Sequence, residues 1–494
     1  MATPIPINAA RFTLAEILDA ASGAVVSADA PSPSLAIASI STDTRALVPG
    51  AAFVALHGEL HDGHAHLEAA ARAGAVVALV ERDVAAPAGL TVVRVAFTLI
   101  ALGDLARAHA RRWRALGGGR KLVAITGSAG KTTTRVAVAA LLERLRPGRV
   151  HGAQGNLNNR VGVPMVLLGL TPDHRLGVIE MGMNRPDEIA ELCRIAEPEI
   201  GVVTLIAAAH TELVGSIEGV AHEKNALFRA LPAEGVAIGN GDDPRVRRGI
   251  LTSPAHRRIL YGRAPEALVK IVGRDLEGLA RSRVQLEVTA RGELEFSTPL
   301  LGEAGALASA AAVAVVDLAL GEPLTSAVCA EAFAQADVGA GAGRLVPRVF
   351  KSGLAVIDDS YNANPASTCA SIRAAAEIAR ATGRRLLLVL GEMRELGAES
   401  DAGHDEVGRA AAASGAAQIF AVTGAAERIA ALAASEGASA SFTDRVEDAA
   451  ALALLAVRPQ DLVLVKGSRS IGTERLVRAL AEAHGGIETE GHAA

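Results

Sequence analysis

The 494-residue chain sets 49 Lys and Arg against 54 Asp and Glu, a net charge of −5, and is 50% apolar with only 2% aromatic residues. Its length exceeds one ordinary hydrophobic core and predicts two to four domains, and the acidic balance leaves no basic field for nucleic acid. Cys193, Cys329 and Cys369 are widely separated and show no C-x-x-C spacing. They offer neither a disulfide framework nor a cysteine metal site, which fits a reducing compartment. The N-terminus lacks the basic start and apolar stretch of a secretion signal, and no apolar run reads as long and clean enough to span a bilayer. A cytoplasmic protein without membrane insertion is the expectation.

In chain order, the first segment (residues 1–119) alternates short apolar runs at 51–56, 76–80 and 90–95 with helical patterns, and ends at the triplet Gly117, Gly118 and Gly119. Three glycines hold no fixed conformation cheaply, so the triplet reads as a linker. A second segment (120–340) repeats strand then helix, with apolar runs near 122–125, 176–180, 200–206 and 236–239. It closes in an Ala-rich helix at 306–320 and a small-residue stretch at 338–343. The third segment (341–494) repeats the alternation with runs at 355–358, 386–390, 419–422 and 462–465. The pattern predicts an α/β protein of three domains: a smaller N-terminal unit, a central phosphate-loop unit with a parallel sheet wrapped by helices, and a Rossmann-like C-terminal unit.

Residues 126–133 read T-G-S-A-G-K-T-T between the 122–125 run and an Ala/Leu/Val-rich helical segment. In such a strand–loop–helix, Gly127 and Gly130 let backbone N–H groups approach phosphate oxygens, with Ser128, Ala129 and Thr133 completing the loop. Lys131 pairs with the outer phosphates, and the Thr132 hydroxyl is placed to ligate Mg²⁺. Further polar motifs follow the other strands: Glu180-Met-Gly-Met, His210, Asn240-Gly-Asp-Asp-Pro244, Asp359-Ser-Tyr-Asn-Ala-Asn-Pro365, Gly391-Glu-Met-Arg-Glu-Leu-Gly397 and Lys466-Gly-Ser-Arg-Ser470. Parallel strands deliver their carboxyl ends to one edge, so motifs scattered in sequence converge there.

Together these motifs resemble the Mur ligase family of peptidoglycan synthesis over nearly the whole chain. The N-terminal part contributes Ser41-Thr-Asp-Thr-Arg45, Phe53-Val-Ala-Leu56 and Asp62-Gly-His64. The central part contributes the phosphate loop, Gly155-Asn-Leu-Asn-Asn159, Gly162-Val-Pro164, Glu180, His210 and Lys224. The order Y-N-A-N-P, G-E-M-x-E-L-G, K-G-S-R-S marks the branch that adds D-alanyl-D-alanine to UDP-N-acetylmuramoyl-tripeptide. The implied chemistry is ATP-driven amide formation through an acyl phosphate. A sibling ligase of the family, a folylpolyglutamate synthetase and a non-enzymatic nucleotide switch are the alternatives; Glu180, His210 and Lys224 together disfavour the switch.

The resemblance also implies roles. ATP would be held by residues 127–133 with Arg344, Asp359 and Tyr361. The UDP substrate would be held by Thr42, Asp43, Thr44, Arg45, His64, Asn158 and Asn159. Asn362, Asn364, Glu392, Lys466, Ser468 and Arg469 would face the dipeptide. Lys131, Glu180, His210, Lys224 and Arg344 form the catalytic set. Two Mg²⁺ sites are implied, from Thr132 and Glu180 for the first, and His210 with a carbamylated Lys224 for the second; Ser216 is expected to cap the helix carrying Lys224. A monomer is expected. Asp43 and Arg45 read equally well as a turn closed by a surface ion pair.

Three departures stand out. Ala226 replaces a glutamate common two residues after the family's lysine, and Ala342 replaces a proline beside the Gly-Arg of residues 343–344. Where the family has G-x-H-N-x-x-N-A and reads the nucleotide base, this chain has Gly302-Glu-Ala-Gly-Ala-Leu-Ala-Ser-Ala310, with Ala304, Gly305 and Ser309 at the polar positions. Loose nucleotide selection is the expectation.

Overall fold

The structure, a computed structural model, describes residues 6–26, 31–58, 61–152, 155–335 and 345–485, with the backbone of 487–489. Arg344 and the small-residue stretch at 338–343 lie outside the described residues.

Among these residues the largest sheet has nine strands. Its parallel part runs Val150–Gly152, Leu176–Glu180, Lys121–Thr126, Ile200–Val203, Val236–Asn240, Arg257–Gly262 and Val269–Glu277, each hydrogen-bonded to the next. The inner strands are continuous apolar runs because helices cover both faces. The phosphate-loop strand Lys121–Thr126 lies between strands reached by connections on opposite sides. This reversal of strand order opens a crevice at the carboxyl edge.

Arg281–Val288 and Gly292–Thr298 extend the sheet as an antiparallel ribbon. The sequence reading did not foresee it, since its outer face carries pairs such as Arg283–Glu277 and reads as polar.

The C-terminal sheet has seven strands. Ala440–Thr443, Gln418–Val422, Leu386–Gly391, Leu462–Lys466 and Ala355–Asp359 are parallel, and Val346–Phe350 and Ile487–Thr489 add antiparallel edges. The N-terminal unit carries a five-stranded sheet built on Ile40–Ser41, Ala52–Val54, Val77–Val80 and Thr91–Arg94 in parallel. The expected glycine triplet is the turn after the Thr98–Ala115 helix, with all three residues at positive φ.

One expectation is corrected. The helical run over residues 302–319 is by length and composition apolar enough to cross a membrane, contrary to the reading of the sequence. It is 78% buried inside the protein, packed against the Lys131–Leu145 helix and the central sheet as a core element. Cys193, Cys329 and Cys369 are buried free thiols, as expected.

Candidate functional site

The edges of the central and C-terminal sheets face one cavity of about 880 Å³. Ser128 to Thr134 line one side of it, with Asn156, Asn158, Asn159, Glu180 and His210. Asp359, Tyr361, Asn362, Asn364, Lys466, Ser468 and Arg469 line the other.

The phosphate loop is shaped by close packing. Gly127 has φ +150, and a β-carbon there would lie 2.0 Å from Thr204 Oγ1. Gly130 caps the following helix in the left-handed region. Thr204 Oγ1 donates to the Ala129 carbonyl at 2.6 Å and Ser128 Oγ to the Ala207 carbonyl at 2.9 Å, so the loop is pinned to the next strand. Lys131 Nζ donates to the Gly127 carbonyl at 2.7 Å, within the cavity wall.

Glu180 ends its strand beside Ile125 in register, which places it under the loop. Thr132 Oγ1 donates to Glu180 Oε2 at 2.6 Å, and Asn158 Nδ2 donates to Glu180 Oε1 at 2.8 Å. A hydroxyl and a carboxylate this close form a hard-oxygen pair suited to Mg²⁺, which takes few protein ligands and completes its shell with phosphate and water.

Lys224 sits on the Ile217–Arg229 helix, capped as expected by Ser216, whose Oγ accepts from Gly219 N at 3.1 Å. Only 1% of Lys224 is exposed. Burial holds its ammonium well below the usual lysine range, helped by Lys131 and opposed by Glu223, Glu188 and Glu180. Among the described residues no three His, Cys, Asp or Glu side chains converge as a metal cluster.

His210 has φ +59 and its Nδ1 lies 2.5 Å from Glu395 Oε2 of the C-terminal unit. This contact holds the Glu395 carboxyl below the usual range.

Opposite, Asp359 and Lys466 end neighbouring strands in register and pair at 2.6 Å. Ser371 Oγ also donates to Asp359 Oδ2 at 2.6 Å, Leu345 N to Oδ1 at 3.1 Å, and Lys466 Nζ reaches the Asn362 carbonyl at 2.9 Å. The Arg469 guanidinium lies 5.6 Å from the Tyr361 ring centre.

Several residues have partners other than those expected. The resemblance puts Asn364 on the dipeptide side. Its Oδ1 caps the Pro365–Thr382 helix through Ser367 N (2.9 Å), while its Nδ2 donates across the cleft to the Ser128 carbonyl (3.1 Å). Glu392 does not line the cavity; its carboxylate is engaged by Ala425 N and Arg394 Nε.

His64 is buried, its Nδ1 on Asp62 (2.7 Å) and its Nε2 accepting from Glu81 N (3.1 Å). Both ring nitrogens are consumed in building the loop, which leaves none for a UDP moiety. Arg45 closes a bidentate turn with Asp43, its side chain 88% exposed. Thr42, Asp43, Thr44 and Arg45 stand in the N-terminal unit outside the cavity, whereas Asn158 and Asn159 line it.

At the apolar end, Gly302, Ala304, Gly305 and Ala308 face the cavity. Ser309 does not: it is wholly buried and donates to the Gly305 carbonyl at 2.9 Å. Counted from Gly302, the last polar place of G-x-H-N-x-x-N-A falls on Ala308, a buried residue at the cavity wall, and not on Ser309. Sequence reasoning also missed Thr204 and Asn156 as loop and cavity residues; their position just beyond strands or beside Asn158 was the available signal.

A glycine loop with lysine and a hydroxyl–carboxylate pair, faced by the polar edge of a second parallel sheet, defines a phosphate-loop enzyme with a two-sided cleft. Residues 125–316 match the Mur ligase middle domain, and residues 343–469 match the Mur ligase glutamate ligase domain. The chain is 35% identical to UDP-N-acetylmuramoyl-tripeptide–D-alanyl-D-alanine ligase of Escherichia coli (strain K12), over 95% of this chain and 98% of the other. The crystal structure I of MurF from Acinetobacter baumannii is similar at TM-score 0.83 and 31% identity, covering 97% of this chain and 100% of that one. MurF ligase from Thermotoga maritima in complex with ADP gives TM-score 0.77 at 25% identity, over 90% and 97%. The chain belongs to the Mur ligase family.

Proposed function

We propose that this protein is an ATP-dependent amide ligase that joins D-alanyl-D-alanine to UDP-N-acetylmuramoyl-tripeptide, making the pentapeptide precursor of peptidoglycan. The observation that carries this reading is the convergence of the phosphate loop, the Thr132–Glu180 pair and the Tyr361 and Lys466 loops on one cavity. The likeness to the E. coli ligase over 95% of the chain supports the choice of substrates.

A free carboxylate is a poor electrophile. The γ-phosphoryl of ATP is therefore transferred to the terminal carboxylate of the tripeptide: the bond to ADP breaks and a carboxylate oxygen gains phosphorus. The dipeptide amine then attacks the carbonyl, and phosphate leaves through a tetrahedral intermediate. Both steps crowd anions, which positioned cations and N–H donors must offset. The loop N–H groups and Lys131 hold the phosphates, and the likeness to the family assigns Arg344 to the same role. Asp359 and Tyr361 complete the nucleotide side, and Lys466, Ser468, Arg469 and Asn362 the dipeptide side. Asn158 and Asn159, which line the cavity, and Thr42 to Arg45 of the N-terminal unit are assigned to the UDP substrate.

This reading assigns two Mg²⁺ ions: Thr132 with Glu180 would hold one, and His210 with Lys224 as a carbamate would hold the other. Bound Mg²⁺ would supply the charge neutralisation between phosphate and carboxylate oxygens. The buried environment of Lys224 favours the neutral amine that a carbamate requires. The enzyme acts as a cytoplasmic monomer, with residues 1–119 holding the UDP precursor, 120–340 the nucleotide and 341–494 the dipeptide.

Phosphate release with UDP-N-acetylmuramoyl-tripeptide tests the reading, comparing D-Ala-D-Ala with D-Ala, L-Ala and L-Glu as amine donors. Strong preference for the dipeptide is expected. Equal rates with a single amino acid would move the protein to a sibling activity, and donor-independent hydrolysis would make it a nucleotide switch.

A further inference from the structure

Two residues with unusual backbone meet across the cleft. His210 (φ +59) ends the loop after the Ile200–Val203 strand and begins the short Thr211–Val214 helix, and Glu395 (φ +65) precedes the Gly397–Glu399 turn of the C-terminal unit. Non-glycine residues in the left-handed region persist only where the surroundings over-determine them. Here the surroundings are each other. His210 Nδ1 lies 2.5 Å from Glu395 Oε2, Thr211 Oγ1 donates to the Leu396 carbonyl at 2.7 Å, and Glu212 N donates to the Glu395 carbonyl at 3.3 Å. Gly397 seats so closely that a β-carbon would lie 2.9 Å from Glu212 Cα, so the turn packs directly on the Thr211–Val214 helix. Both His210 and Glu395 line the cavity.

We propose that Glu395 is a positioning residue that couples closure of the C-terminal unit to cation binding at His210. Its carboxylate fixes the imidazole through Nδ1 and leaves Nε2 as the ligand, in the manner of carboxylates that orient metal-binding histidines. The unit that carries the dipeptide loops thus also completes the metal site, and the cation in turn favours the closed arrangement, since such coupling is reciprocal. This inference rests on the reading of His210 as a ligand of the second cation.

The test uses the full-length protein with a non-hydrolysable ATP analogue, and it reads Mn²⁺ binding by electron paramagnetic resonance and compactness by small-angle X-ray scattering. Glu395→Ala is expected to weaken the second Mn²⁺ by about 10–100-fold while the first, at Thr132 and Glu180, is unchanged. The Mn²⁺ concentration needed for compaction should rise in parallel. Glu395→Gln, which keeps size and an acceptor for Nδ1–H, should fall between and guards against a folding artefact. If Glu395→Ala and Glu395→Gln both keep wild-type Mn²⁺ affinity while His210→Ala loses the second ion, Glu395 is only a latch and the inference fails with the metal reading intact. If His210→Ala still binds both ions, the metal reading itself fails.

Discussion

The two ends of the cavity are built by opposite means. At the phosphate end, polar groups are held in pairs or pinned to backbone: Thr132 on Glu180, Lys131 on the Gly127 carbonyl, Asp359 on Lys466. At the apolar end, Gly302, Ala304, Gly305 and Ala308 present almost no functional group, and the helix that carries them packs so tightly that a β-carbon at Gly305 would lie 2.4 Å from the Leu300 carbonyl. The difference teaches that chemistry and nucleotide selection are separable here. Preorganised charge acts on the transferring phosphoryl group wherever it is bound, whereas selection between bases needs buried hydrogen-bonding groups that punish the wrong partner.

The largest effect is expected at the phosphate end, from Lys224→Ala. If the carbamate supplies an anion beside the second cation, turnover should fall by about two to three powers of ten. Added short carboxylic acids should restore part of it by filling the vacated space. Rescue also answers the objection that removing a buried lysine from among Glu180, Glu188 and Glu223 merely disturbs the fold. Full activity of Lys224→Ala without additive would remove Lys224 from the metal site and weaken the contrast between the two ends.

An intermediate effect is expected where the units touch. Asn364→Asp keeps the oxygen that caps the Pro365–Thr382 helix but removes the amide that donates to the Ser128 carbonyl, and it sets a carboxylate against the phosphate loop. Asp is as good a cap as Asn, so Tm should move by no more than about 2 °C. The lost bond and the repulsion should lower kcat/KM by about tenfold or more. Tm and activity falling together would show that Asn364 serves the helix alone; unchanged activity would show that its reach across the cleft is incidental.

What could be read from the residues alone follows the same physics. Strands buried on both faces are plain apolar runs, so the Leu176–Glu180 strand and its terminal carboxylate were visible, as was the glycine loop after Lys121–Thr126. The antiparallel ribbon was not, because Arg281–Val288 and Gly292–Thr298 bury one face and charge the other. His64 has the composition of a ligand, yet which partners take its two nitrogens depends on Glu81, a residue 17 positions away. Glu395 stood in a recognised motif, but its role arises from a meeting across 185 positions of sequence that no local pattern encodes. Ser309 is one place too far along the motif: counted from Gly302, the last polar place of G-x-H-N-x-x-N-A is Ala308, and the buried bond of Ser309 to the Gly305 carbonyl agrees.

The smallest expected effect lies at the apolar end. If base recognition there rests on shape and apolar contact, exchanging ATP for GTP removes no hydrogen bond to the helix of residues 302–313. A typical hydrogen bond contributes about 0.5–1.5 kcal/mol, which limits the preference to about tenfold in kcat/KM. The phosphate groups and metal ligands do not touch the base, so kcat itself should change little. Ala308→Asn sharpens the test: Ala308 faces the cavity, so its amide would gain a base edge to read, and the ATP:GTP ratio should rise. Gly305→Asn would not serve, because its side chain would strike Leu300. Glu303, Asn240 and Tyr261 line the same cavity and are polar residues able to overturn this expectation. A wild-type ATP preference of many hundredfold, lost on Asn240→Ala, would mean that polar readout has moved to the neighbouring strand ends and that the two ends are equally selective.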